Sequence, residues 1–180
     1  MWKLNKPKPV KLIVGILAAN QDALICAAAQ LIQNFGLTDF SSDIWPFDQT
    51  EYYKEQTGDR IIRRFISFQK LISPADLAKI KLKTNKIEKI LAKKLKLPLQ
   101  RPVNLDPGII EPAKLVLAST KNYSHRIYIG KKIYAEVTLI YDKKQWKPFE
   151  YTYPDYRQQC YFDYFHKVRT RLLEQLKSKH

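Results

Sequence analysis

Apolar residues recur along the chain with two periods, and the change from one to the other sets the expected elements. Residues 10–19 (VKLIVGILAA) form an almost unbroken apolar run, which predicts a buried strand. Over 22–35 the period lengthens: Leu24, Ala27, Ala28, Leu31 and Phe35 fall on one helical face, and Gly36 supplies a left-handed stop. Strands are expected near 40–47 and 60–69, joined by the polar, aromatic loop from Asp48 to Asp59. Ser73 as N-cap and Pro74 in the first turn open a long helix over 74–95, with Leu77, Ile80, Thr84, Ile87, Leu91 and Leu95 as its buried stripe.

After Pro98 the order recurs. A short strand through Val103 and Leu105 leads into Asp106-Pro107-Gly108, whose composition is that of a turn, and Glu111-Pro112 reads as the start of a helix. Strands near 125–129 and 133–141 turn about Gly130, and a final helix begins near Asp155 with Tyr161, Tyr164, Phe165, Val168, Leu172 and Leu176 on one face. The expectation is one compact α+β unit over 1–180, with helices packed on a mainly antiparallel sheet. It includes a β-α-β-β-α pseudo-repeat with halves 10–97 and 98–178, and a ferredoxin-like arrangement in the first half.

Composition changes this picture little. With 180 residues, 45% apolar and 12% aromatic, the chain has material for a core, which excludes extended disorder. The lysines at 3–11 imitate a signal peptide ahead of Leu12–Ala19, but Asn20, Gln21 and Asp22 interrupt a run already too short to span a bilayer. The reading is a cytoplasmic protein without a membrane partner, and Cys26 and Cys160 read as core thiols. Charge matters more. The formal net charge is +15, concentrated in Lys3–Lys11 and in the eight lysines of 79–96. Such a face attracts nucleic acid through counterion release, yet 24 Lys against 8 Arg lacks the arginine bias of specific recognition, so this binding is expected to be non-specific.

Candidate chemistry gathers in short polar stretches: 46–53 (PFDQTEYY), 104–108 (NLDPG), 119–126 (STKNYSHR), 134–139 (YAEVTL) and 151–157 (YTYPDYR). Taken in this order, with Ile80-Lys81 and Thr84-Asn85 between them, they resemble the prokaryotic family catalogued as domain of unknown function 4416 over nearly the whole chain. The chain departs from that pattern at Glu55-Gln56-Thr57-Gly58, one residue longer than usual, and at Tyr151, where Trp is frequent. The resemblance implies membership and no particular activity. Some relatives bear a GTP-binding name, but no G-x-x-x-x-G-K-[ST] loop occurs among five scattered glycines, and Asn85-Lys86-Ile87-Glu88 lies inside a helical stripe.

The residues themselves suggest a polar cleft for an anionic, phosphorylated small molecule, formed where the segments near Thr50, Asp106, Thr120 and Thr152 meet. Arg63, Arg64, Lys81, Lys121 and Arg126 are the candidate cations. Thr50, Glu51, Tyr52, Asn85, Asn104, Tyr134 and Asp155 join Thr120 and Thr152 as further binding residues. Asn104 and Asp106, two apart, point to one side of a strand. His125 with Glu136 or Asp106 is the candidate acid–base set. No cofactor-binding pattern or metal-ligand set is read. Two rival readings are an RNA-binding module built on the lysine-rich helix and a protein-interaction domain using the Tyr-rich C-terminal region, where nine of eleven tyrosines lie.

Overall fold

A computed structural model describes residues 4–47, 57 and 61–178. Within them run β1 (Val10–Ala18), α1 (Gln21–Phe35), β2 (Thr38–Ser41), β3 (Trp45–Pro46), β4 (Ile62–Ile72), α2 (Leu77–Leu95), β5 (Val103–Ile110), β6 (Lys114–Ser119), β7 (Ile127–Tyr128), β8 (Tyr134–Asp142), β9 (Gln145–Pro148) and α3 (Gln159–Lys177). The fold is α+β. All strands join one antiparallel sheet of order β2-β4-β1-β5-β6-β8-β7, with β3 on β4 and β9 on β8.

The apolar run of residues 10–18 becomes the central strand because it is the one segment apolar enough for both faces, and every residue of β1 is buried. β4 and β5 flank it, β2 lies outside β4, and α1 and α2 make the crossovers, which is the split β-α-β arrangement expected of the first half. α1 and α2 cover one face through Leu24, Leu31, Ile80, Ile87 and Leu91 against Leu12, Val14, Ile16 and Leu105. α3 covers the other through Tyr161, Phe165, Val168 and Leu172 against Ile13, Phe65, Leu115 and Leu139. Ser73 caps a 3-10 turn over Pro74–Asp76 that leads into α2, and Gly36, at φ 94°, ends α1.

Two expectations for the second half are corrected. Glu111-Pro112 starts no helix: the Glu111 N–H bonds the Lys114 carbonyl at 2.9 Å and closes a tight hairpin between β5 and β6, so the element order of the first half does not recur. Asp106-Pro107-Gly108 is no turn either. It runs straight through β5, paired residue by residue with Gly15, Val14 and Ile13 of β1, because long-range pairing with the most buried strand overrides local turn chemistry.

That tripeptide instead ends the pairing of β5 with β6. The ladder runs from Ile110↔Leu115 to Gly108↔Leu117 and stops. Counting back in twos from Glu111, the backbone groups of Ile109, Pro107 and Leu105 face β6. Pro107 has no N–H to give at the next rung. Beyond it β5 stays with β1 while β6 stays with β8, and the sheet opens between them.

The exposed rung at Leu105 is satisfied from α2. Its N–H donates to Glu88 Oε1 at 2.7 Å, and its carbonyl accepts from Lys81 Nζ at 2.8 Å. This explains why Lys81 and Glu88 are 4% and 8% exposed on a helix face that is apolar apart from them and Thr84. Burial pushes the Glu88 carboxyl above the usual range, with Lys81 and Arg101 opposing. The folded chain therefore keeps that proton to higher pH than the unfolded chain, and this group's contribution to stability falls as pH rises from the ordinary Glu range through the raised one. Glu88→Gln, which keeps an acceptor for Leu105, is expected to lose this slope in urea unfolding followed against pH. Glu88→Ala leaves the N–H unpaired and is expected to cost about 1–3 kcal/mol.

Candidate functional site

The wedge between β5 and β6 is the mouth of a cleft of about 260 Å³. Asn104 and Asp106 of β5 form one wall, Leu117, Ala118 and Ser119 of β6 the other, and Thr120 and Lys121 follow where β6 ends. Its floor is Arg63 of β4, a cation 2% exposed. Arg63 reaches the cleft by crossing β1 at Gly15, where an added Cβ would lie 2.7 Å from Nη1 and 2.9 Å from the Phe65 ring. Glycine is the residue that leaves this passage open.

Arg63 Nη2 donates to Asp155 Oδ2 at 2.9 Å, and Nη1 lies 3.6 Å from Asp106 Oδ2. The guanidinium is also within 5.1–5.7 Å of the ring centres of Phe47, Phe65 and Tyr156. Burial disfavours its charge, but the surrounding Tyr156, Asp155 and Asp106 outweigh burial and raise its pKa. Burial also pushes the Asp155 carboxyl upward, with Arg63 opposing. Nη1, for all these neighbours, makes no hydrogen bond among the described residues, and neither does the buried Tyr156 hydroxyl. Burial raises that phenol well above its ordinary pKa, so it stays protonated and able to donate.

Asp106, 25% exposed by side chain, accepts from Asn104 Nδ2 at 2.7 Å and has Lys81 Nζ 3.8 Å away. On the β6–β8 side, Glu136 Oε2 accepts from Arg126 Nε at 2.6 Å, and Thr138 donates to Oε1 at 3.2 Å. Arg126 spends its remaining donors on Ser119 Oγ, the Lys121 carbonyl and the Tyr153 hydroxyl at 2.7–3.3 Å. His125 is held between these groups and the C-terminal segment: Nε2 is 3.2 Å from Glu136 Oε2, and the ring stacks on Tyr151 with centres 4.3 Å apart.

Of the residues singled out in the sequence, the fold brings Arg63, Lys81, Asn104, Asp106, Thr120, Lys121, Arg126, Glu136 and Asp155 to this one cleft. Asn85 lies in the adjoining groove of about 400 Å³, which shares Lys81, Arg101 and Thr120 with the cleft. His125 contacts Glu136 without joining the lining. Three others stand apart. Arg64 follows Arg63 on β4 and so points to the other face, donating to the Ser42 carbonyl at 3.0 Å. Tyr134 packs edge-on against Tyr128. Thr152 closes a turn, donating to the Thr138 carbonyl at 2.7 Å and accepting from the Phe149 N–H at 2.9 Å. Thr50, Glu51 and Tyr52 lie outside the described residues.

The site also contains residues that the sequence reading passed over. Ser119, Tyr123, Tyr153 and Tyr156 belong to the polar stretches and were there to be found. Phe47 belongs to them as well, whereas Arg101 carries no local signal: it precedes β5 and is recognisable only by its two hydrogen bonds, 2.7 and 3.0 Å, to Glu88 Oε2. The lining holds five cations (Arg63, Lys81, Arg101, Lys121, Arg126) against three carboxylates (Asp106, Glu136, Asp155).

No helix among the described residues is long and apolar enough to cross a membrane. The family profile described as Domain of unknown function (DUF4416) matches residues 8–172, and the chain belongs to that family. No curated protein and no solved structure matches.

Proposed function

We propose that this DUF4416 protein binds an anionic small molecule, of the phosphate-monoester kind, in the cleft between β5 and β6, and that it does so in the cytoplasm. The observation that carries the reading is a cleft lined by five cations and three carboxylates, whose deepest cation, Arg63, keeps an Nη1 that makes no hydrogen bond among the described residues and stands 3.6 Å from Asp106 Oδ2. A buried donor left unpaired costs free energy, and a ligand oxygen is the natural partner for it. The size of the cleft, just under the span of about 300–1,000 Å³ usual for drug-sized ligands, suits a metabolite and is too small to enclose a polymer.

Glu136 offsets Arg126, and Asp106 with Asp155 offsets Arg63 and Lys81. Arg101, itself bonded to Glu88, and Lys121 also line the cleft, with Thr120 beside them where β6 ends, and the anionic group is assigned to that part of the lining. His125 turned toward Glu136 favours binding over acid–base chemistry as the role argued from this geometry. The lysines of α2 that stay exposed, Lys79, Lys83, Lys86, Lys89, Lys93 and Lys94, supply a separate, sequence-tolerant attraction for nucleic acid.

Calorimetric titration of the full chain with inorganic phosphate tests the reading. Lys121→Ala is expected to weaken phosphate binding about tenfold while leaving the thermal midpoint nearly unchanged. Equal affinity in the wild type and the variant would remove the anionic group from this part of the lining.

A further inference from the structure

Among the described residues three aromatic side chains are exposed, Tyr123, Tyr128 and Tyr153, at 45%, 58% and 40%, and two of them, Tyr123 and Tyr153, line the cleft. We infer that these two form a stacking platform on the open side of the cleft, and that the site takes a small molecule bearing a planar heteroaromatic ring. The ring needs no anionic group to bind there.

Both tyrosines are fixed by the chain itself. Each begins a turn: the Tyr123 carbonyl accepts from the Arg126 N–H at 2.9 Å, and the Tyr153 carbonyl accepts from the Tyr156 N–H at 3.0 Å. Both side chains are also fastened to Arg126. Its guanidinium lies over the Tyr123 ring, 4.5 Å from the centre, and donates to the Tyr153 hydroxyl at 3.3 Å. Arg126 is in turn held by Glu136 at 2.6 Å and Ser119 at 2.7 Å. A cation on one face of Tyr123 leaves the other face for a partner, and a side chain already held in place gives up little entropy on stacking.

The neighbouring polar groups narrow the chemistry. A cationic ligand would enter a lining with five cations and three carboxylates. A saturated apolar group would cover the tyrosines but would also seal Ser119 and Asp106 away from water. The Ser119 hydroxyl oxygen accepts from the Lys121 N–H at 3.1 Å and from Arg126 Nη1 at 2.7 Å, so its proton is what it has left to give. Asp106, 25% exposed by side chain, accepts from Asn104 and has lone pairs for another donor. A heteroaromatic ring meets both demands: its faces stack on the tyrosines, and the donors and acceptors along its edge serve Asp106 and Ser119.

The test is a magnetic-resonance titration of the full chain with isotope-labelled tyrosine rings, using uncharged probes in pairs. Adenosine is set against ribose, and nicotinamide against cyclohexanecarboxamide. In at least one pair the aromatic member is expected to bind about fivefold or more tighter and to move the Tyr123 and Tyr153 resonances, the effect usual for one base on an aromatic side chain. Tyr123→Leu and Tyr153→Leu are each expected to weaken that preference and together to erase it, whereas Tyr123→Phe keeps it. Both side chains are exposed, so the leucine variants are expected to melt within about two degrees of wild type.

A preference below about fivefold in both pairs overturns the inference, and so does a preference that survives in the double leucine variant. Binding of an adenine tetranucleotide without binding of either heterocycle would overturn it in favour of single-stranded nucleic acid. Since the probes carry no charge, failure here leaves the phosphate titration as it stands, and a failed phosphate titration leaves the platform untouched.

Discussion

Arg63→Met is expected to remove about 3–5 kcal/mol from the stability of the chain, the usual loss when one member of a buried ion pair is deleted. The methionine fills much of the same volume and keeps contact with Phe47, Phe65 and Tyr156, so packing is the smaller part of the change. What it removes is the charge that opposes burial of Asp155, a carboxylate 5% exposed that hydrogen-bonds Arg63 at 2.9 Å. Without that charge the Asp155 pKa, already raised by burial, rises further. The sign of the pH dependence follows. The folded variant holds the Asp155 proton to higher pH than the unfolded chain, so its deficit shrinks as pH falls through that raised pKa and is full above it. Urea unfolding at several pH values measures this, and Arg63→Met combined with Asp155→Asn is expected to be more stable at neutral pH than Arg63→Met alone. A single-variant loss below about 1 kcal/mol, the range of exposed pairs, would show that the pair behaves as a solvated one.

Gly108→Ala should be the second severe substitution, at about 2–3 kcal/mol, the upper part of the range for overpacking. An added Cβ would stand 2.6 Å from Leu117 Cδ2 and 2.8 Å from the Val116 carbonyl oxygen. The leucine can turn away, but the carbonyl belongs to the backbone of β6, and moving it forces the two strands apart where their pairing ends. Circular dichroism melts and urea unfolding report the loss. A midpoint within one degree of wild type would mean that β5 and β6 are not held this closely.

The parts of the fold legible in the sequence were those with strong periodicity. β1 and the stripes of α2 and α3 were placed within a few residues because a continuous apolar run and a 3.6-residue period have few other physical explanations. Glu111-Pro112 misled because Pro in a first helical turn and Pro in a tight hairpin have the same local chemistry, and the outcome was set by the six residues that follow finding β8 as a partner. Asp106-Pro107-Gly108 misled for a related reason: the turn preference is local, whereas pairing with β1 extends along all eight residues of β5. In the site, Asn104 and Asp106 were legible from a spacing of two. The Arg63–Asp155 pair joins residues 92 positions apart and depends on the passage at Gly15, so it became visible only with the strand register.

The end of the β5–β6 ladder at Pro107 also makes the depth of the cleft a property of one position. Two strands that part at a fixed rung behave like the halves of a zip, and the slider here is the residue that cannot donate. Each strand residue advances about 3.3 Å, and rungs facing a given neighbour recur every second residue, so moving that slider by one rung would lengthen or shorten the opening by roughly 7 Å. Lys81 and Glu88 set the opposite limit, since they stand in for the absent strand at Leu105 and would have to move one helical turn to serve another rung. Under the proposed binding role, ligand length is written into the register between a proline on one strand and two charged side chains on a helix, and a chain of this architecture could change the size of what it holds without altering its core.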